Sequence, residues 1–197
     1  MDCGKRPRDC TCVTVPPCIR VYWLFSYKGD TARAIIYSLK QLRSLPDFAY
    51  FARRLYEQIL HISGNSMSFD CVCYVPRNKE GIAWFGYDHS RLLALQLAEL
   101  FSIPCMPLIE HTGVSGEQKR LSRAFRGVAA KTRFRANQAE LYDGKYRYKR
   151  VLLVDDLVTT GNTMGECARI LKNHGVKQIF GAFVAHTPSG DKRGMYF

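Results

Sequence analysis

The run Val151-Leu152-Leu153-Val154-Asp155-Asp156-Leu157-Val158-Thr159-Thr160-Gly161-Asn162-Thr163 constrains this chain more than any other stretch. Four consecutive apolar residues read as a strand buried on both faces, and such strands belong to parallel sheets covered by helices. Two carboxylates stand at its carboxyl end, and a loop of hydroxyls and glycine then opens into a helix. In such folds ligands bind at the carboxyl ends of the strands. Each part of the run has a physical use there. Thr159, Thr160, Asn162 and Thr163 surround the turn with polar groups, and Gly161 lets the backbone approach a ligand closely. The helix start adds unpaired N–H groups and the positive end of its dipole, so the loop can cradle a phosphate. Asp155 and Asp156 would repel that anion; they suit vicinal sugar hydroxyls, or a Mg²⁺ held by the same ligand. Phosphate at one end and a diol at the other describe a 5-phosphoribosyl group.

The rest of the chain repeats the strand–helix alternation. Val21 to Phe25 reads as a strand, and Asp30 or Thr31 can cap a helix carrying Ile35, Ile36, Leu39 and Leu42. A second helix after Pro46-Asp47 places Phe48, Phe51, Leu55 and Ile59 on one face. Phe69 to Val75 is a strand, and Ser90 caps a helix through Leu92, Leu93, Leu95, Leu97 and Leu100. Residues 105–109 form another strand, followed by a long basic connection with a capping box at Ser115 and Gln118. Helix Thr163–Asn173 and strand Ile179–Ala185 close the pattern. The expected architecture is α/β, a parallel sheet flanked by helices. Two other paired-acid or phosphate sites fit poorly. A receiver site places its acids after the first strand with several βα units to come, whereas 41 residues follow Asp156. A Walker-type loop needs Gly-x-x-x-x-Gly-Lys-Ser/Thr, which does not occur.

Charge narrows the partner. The 197 residues carry a net charge of +12. Between Gly113 and Arg150, 11 basic residues face only Glu117, Glu140 and Asp143, giving +8 in that window. A solvated face explains such a run in general, but the neighbouring phosphate cradle favours a basic connection that handles phosphates. No stretch approaches the roughly 18 apolar residues of a membrane span, and residues 1–6 lack a signal-peptide core. The cytoplasm is the expected compartment. In that compartment the eight cysteines need not form disulfides. Cys71, Cys73, Cys105 and Cys167 read as core residues. Cys3, Cys10, Cys12 and Cys18 crowd into a Pro- and Lys/Arg-rich segment, where thiolates could hold Zn²⁺, although no Cys-x-x-Cys is present. Residues 1–20 are accordingly read as a Cys-rich segment and 21–197 as the main domain.

At these residues the sequence resembles the type I phosphoribosyltransferases, and among them the ComF family of competence-associated proteins. Besides Asp155-Asp156-Leu157-Val158-Thr159-Thr160-Gly161, the likeness rests on Tyr27-Lys28-Gly29 with Arg33 and Leu39-Lys40, and on Val75-Pro76-Arg77. Gln118, Leu121, Arg126 and Phe134 match a further pattern. Gly86-Tyr87-Asp88-His89 stands where the family tends to have Arg-Gly-Phe-Asn. The resemblance implies a phosphoribosyltransferase fold, with phosphoribosyl pyrophosphate and Mg²⁺ as ligands. Asp155 and Asp156 would meet the ribose hydroxyls, Thr159 to Thr163 the 5′-phosphate, and Pro76 and Arg77 the pyrophosphate. Asp155, Asp156 and Arg77 are the implied catalytic residues, with Lys119, Arg120 and Arg126 as candidates for a clamp. Phe85 in place of the family's Arg and Ala129 in place of an Asn remove polar groups from that expected site. The family's N-terminal zinc ribbon implies Cys3, Cys10 and Cys12 as zinc ligands. A complete knuckle would need a cysteine just before Met1, so the true start is expected upstream, or the ribbon is cut short. Two functions follow: transfer of phosphoribosyl to an acceptor, or non-catalytic ligand binding by a competence protein that works with DNA-uptake partners and, with them, nucleic acid.

Overall fold

A computed structural model describes residues 14–26, 38, 45–64, 67–113, 133–141 and 148–186. It contains a four-stranded parallel sheet built from β1 (Arg20–Ser26), β2 (Cys71–Tyr74), β5 (Arg150–Val158) and β6 (Gln178–His186), in the order β1-β6-β5-β2. The α/β expectation, a parallel sheet between helices, holds.

Side chains alternate across this sheet, as the strand period requires. Leu152 and Val154 of β5 join Tyr22, Phe180, Ala182 and Val184 on one face. That face is covered by α1 (Leu45–Ser63) and α3 (His89–Phe101), which bury Phe48, Ala52, Leu55, Ile59, Leu93 and Leu97. Val151 and Leu153 point to the other face, where α5 (Asn162–Asn173) buries Met164, Cys167, Ala168 and Leu171. With every one of these residues essentially inaccessible, each large one contributes about 1.5–3 kcal/mol of apolar burial. Cys71, Cys73 and Cys167 are free, buried thiols, and burial pushes Cys73 up to about 12. They behave as small apolar residues.

Several boundaries differ from the sequence expectation. No strand of the main sheet forms at 105–109. Cys105, half-buried, makes only an isolated bridge to Val72. Pro104 and Pro107 bracket it and donate no N–H to a ladder. Past Pro107 the chain instead forms β3 (Ile109–His111), antiparallel to β4 (Phe134–Ala136) in a separate two-stranded sheet, with the short α4 (Gln138–Leu141) after it. A helix that the sequence reading lacked, α2 (Lys79–Phe85), precedes α3; Asn78 caps it by accepting the Gly81 N–H at 2.9 Å. Ser90 is not the cap of α3. Asp88 fills that role, its carboxylate accepting the Arg91 N–H at 3.2 Å. Finally, β5 does not end at Val154: β6 stays paired with it to His186, so both aspartates lie within the strand. Of the expected helix carrying Ile35, Ile36, Leu39 and Leu42 only Ser38 is described, as helical and exposed, and the capping box at Ser115 lies outside the described residues.

Among the described residues no helix is long and apolar enough to cross a membrane.

Candidate active site

The carboxyl ends of β2 and β5 open onto a cleft of about 380 Å³. The chain reaches it through three segments that the sequence singled out. Val75, Pro76 and Arg77 leave β2, Asp155 projects from β5, and Thr159, Thr160, Gly161, Asn162 and Thr163 lead into α5; all line the cleft. Gly161 has φ +74°, a left-handed conformation that glycine adopts without the penalty other residues incur. A Cβ there would also stand 3.1 Å from Val15 Cγ2. No side chain caps the start of α5, which leaves its dipole end facing the loop.

The two aspartates occupy opposite electrostatic situations. Asp155 is buried and its carboxylate accepts hydrogen bonds from Ser90 Oγ and from the Asp156 N–H, both at 2.9 Å. Burial, and then the adjacent Asp156 charge, push its carboxyl well above the usual carboxylate range. Asp156 does not line the cleft. Its Oδ2 is 3.0 Å from Arg77 Nη2 and 3.6 Å from His89 Nδ1. Burial alone would raise it, but the His89 imidazole and the Arg77 guanidinium outweigh that and hold it below its ordinary value. The pair therefore shares one low-dielectric site with one carboxyl favoured neutral and the other ionised. Arg77 is anchored at both ends, since its backbone N–H also donates to Asp88 at 3.2 Å.

The structure brings in residues that sequence reasoning did not assign to the site. Ser90 lines the cleft beneath Asp155, and His111, Arg133 and Phe134 form a wall from the two-stranded sheet. Arg133 Nη2 lies 3.5 Å from Thr163 Oγ1 and 3.3 Å from Glu166. Arg133 was visible only as one cation among many in the basic window, and His111 carried no local signal. Cys3, Cys10 and Cys12, and the clamp candidates Lys119, Arg120 and Arg126, lie outside the described residues. Among the described residues no group of three or more His, Cys, Asp or Glu side chains is placed to hold a metal.

Residues 111–194 match the phosphoribosyl transferase domain. The chain is similar to Competence protein F of Haemophilus influenzae, 33% identical over 101 residues. The matched stretch covers 48% of this chain and 40% of that protein, so the likeness spans about two fifths of the relative's length.

Proposed function

We propose that this chain is a ComF-like member of the type I phosphoribosyltransferases and that its cleft binds phosphoribosyl pyrophosphate with Mg²⁺. The reaction proposed is transfer of the phosphoribosyl group to an acceptor with release of pyrophosphate. One observation carries the reading: Asp155, Arg77 and the Thr159–Thr163 loop converge on a single cleft from three separate segments.

In this reading the loop hydroxyls and the open start of α5 hold the 5′-phosphate. Asp155, steadied by Ser90, meets the ribose hydroxyls, and its raised carboxyl makes a neutral hydrogen-bonding form accessible there. Arg77 exchanges part of its bond to Asp156 for the pyrophosphate. The C1–O bond to pyrophosphate breaks with its electron pair leaving on oxygen, the acceptor's nucleophilic atom bonds to C1, and the acceptor gives up its proton. Positive groups aimed at the leaving oxygens stabilise the charge that develops. The oxygen donors present fit Mg²⁺ as a hard cation, but only alongside oxygens of the ligand, since two carboxylates already engaged with protein groups cannot complete its shell. When bound with the ligand, Mg²⁺ neutralises charge on the departing pyrophosphate.

Incubation with phosphoribosyl pyrophosphate, Mg²⁺ and a panel of nucleobases and amines tests this through pyrophosphate release. Asp156→Asn should lose release and ligand binding while the fold persists; retained binding would mean the motif has another role.

A second reading, a non-catalytic binder acting in DNA uptake, draws support from the similarity to Competence protein F and from Asp88. At the position where the family tends to have Asn, its carboxylate is spent on the Arg77 and Arg91 N–H groups and does not line the cleft. Ligand binding with no release across the panel would favour it. Steep loss of DNA affinity with salt would add a nucleic-acid surface.

A further inference from the structure

His111 ends β3 and lines the cleft. Its Nδ1 accepts the Gly113 N–H at 3.0 Å. A neutral imidazole that accepts at Nδ1 carries its proton on Nε2. Among the described residues that Nε2 makes no hydrogen bond. The ring stands edge-on to Phe134, with centroids 5.2 Å apart, and the Arg133 guanidinium lies 5.5 Å from the centre of the same phenyl ring. Imidazole, phenyl and guanidinium thus form one continuous wall, and the Arg133 contact with Thr163 joins that wall to the loop expected to hold phosphate. Among the described residues, the charged groups acting on the imidazole are Arg133, Glu80 and Glu166. Burial, and then Arg133, disfavour its protonated form; Glu80 of α2 and Glu166 of α5 oppose them without reversing the balance.

We propose that His111 is a fixed, uncharged hydrogen-bond donor to a phosphate oxygen of the ligand, set in the wall that Phe134 and Arg133 complete. The role rests on the phosphoribosyl reading of the same cleft. Its chemistry differs from that of a basic side chain. The Gly113 N–H occupies the atom that a second proton would need, so the donor works without titrating and adds direction to the site without adding charge. Arg133 supplies the fixed positive charge beside it.

Calorimetric titration of the unaltered protein, His111→Ala and His111→Gln with ribose 5-phosphate and with inorganic pyrophosphate tests the role, together with the imidazole ¹⁵N spectrum of the unaltered protein. The spectrum should show the Nε2–H tautomer from pH 6 to 8. His111→Ala should weaken at least one of the two ligands about tenfold. Gln, whose side-chain amide can place an N–H near the position of Nε2, should restore most of the loss. Weakening of ribose 5-phosphate places the donor at the 5′ end; weakening of pyrophosphate places it at the leaving group. Equal affinity of His111→Ala and the unaltered protein for both ligands overturns the proposal, as does an Nδ1–H or doubly protonated ring at pH 7. If the unaltered protein binds neither ligand, the phosphoribosyl reading itself falls and takes this role with it.

Discussion

Arg77 and Asp156 lie 3.0 Å apart, joining the segment that leaves β2 to the end of β5, with 20% and 14% of their side-chain surfaces exposed. Arg77 lines the cleft, and Asp156 holds it from behind. The pair keeps Asp156 ionised and orients the guanidinium before any ligand arrives. Arg77→Met leaves a largely buried carboxylate with the His89 imidazole and the Leu157 N–H beside it but no guanidinium. We expect a loss of about 3 kcal/mol in unfolding free energy, measured by urea denaturation at pH 7. Because the Asp156 carboxyl is depressed, the stability it contributes is present above its unfolded value and is lost as pH falls through the lower folded value. The difference between Arg77→Met and the unaltered protein should therefore shrink on acidification below pH 4.

Asp155 has the opposite sign. Its folded carboxyl is raised, so the folded state holds the proton that the unfolded state gives up near pH 4. Its ionisation therefore costs stability as pH rises from there through the folded value. Asp155→Asn keeps the acceptor oxygen for Ser90 and the Asp156 N–H and removes the charge. Stabilisation of about 1–2 kcal/mol at pH 7 is expected, with little gain at pH 4. Ligand binding should be lost in the same variant, and thermal unfolding beside ligand titration checks both.

Gly161→Ala should destabilise the protein by about 1–2 kcal/mol, from the left-handed backbone alone. The new methyl group would also press on Val15 at 3.1 Å. The same substitution should weaken ribose 5-phosphate more than it weakens pyrophosphate, since it distorts the loop rather than the segment around Arg77. Paired titrations would read that ratio.

Asp70, just before β2, accepts the N–H groups of Lys149 and Arg150 at 2.6 and 2.8 Å, tying the entry of β5 to that of β2. Asp70→Ala should cost about 1–2 kcal/mol, while Asp70→Asn retains an acceptor oxygen and should cost less. Ligand affinity should not change in either, because this tie lies at the opposite end of the strands from the cleft. Denaturation curves and titrations on the two variants decide it.

The fold was legible where a residue's own chemistry left one choice. The run Val151 to Val154 can only be a buried strand, and Phe48, Leu55 and Ile59 recur at a spacing only a helix turns to one face. The loop Thr159–Thr163 reaches the cleft at the end of β5, where its glycine and hydroxyls led us to expect it. Ser90 was not: a serine ahead of an apolar helix looks like a cap, and nothing local shows that Asp88, two residues earlier, takes that position and frees Ser90 for Asp155. His111 and Arg133 were hidden by topology. They meet across a pairing of β3 with β4 whose strands are separated by more than twenty residues of chain, and a pattern read along the sequence cannot see who stands opposite. The split between Asp155 and Asp156 is likewise a property of burial and of Arg77 and His89, not of the Asp-Asp dipeptide.

Val15 is buried against Gly161, and the Pro16 carbonyl lies 3.0 Å from where a Cβ on Gly165 would stand. The packing against the cleft loop is thus borrowed from the other end of the chain. A protein trimmed to begin at Arg20 would keep every described residue that lines the cleft and still lose the surface against which their loop is shaped. The shape of the cleft loop can thus be edited from a segment that does not line the cleft among the described residues.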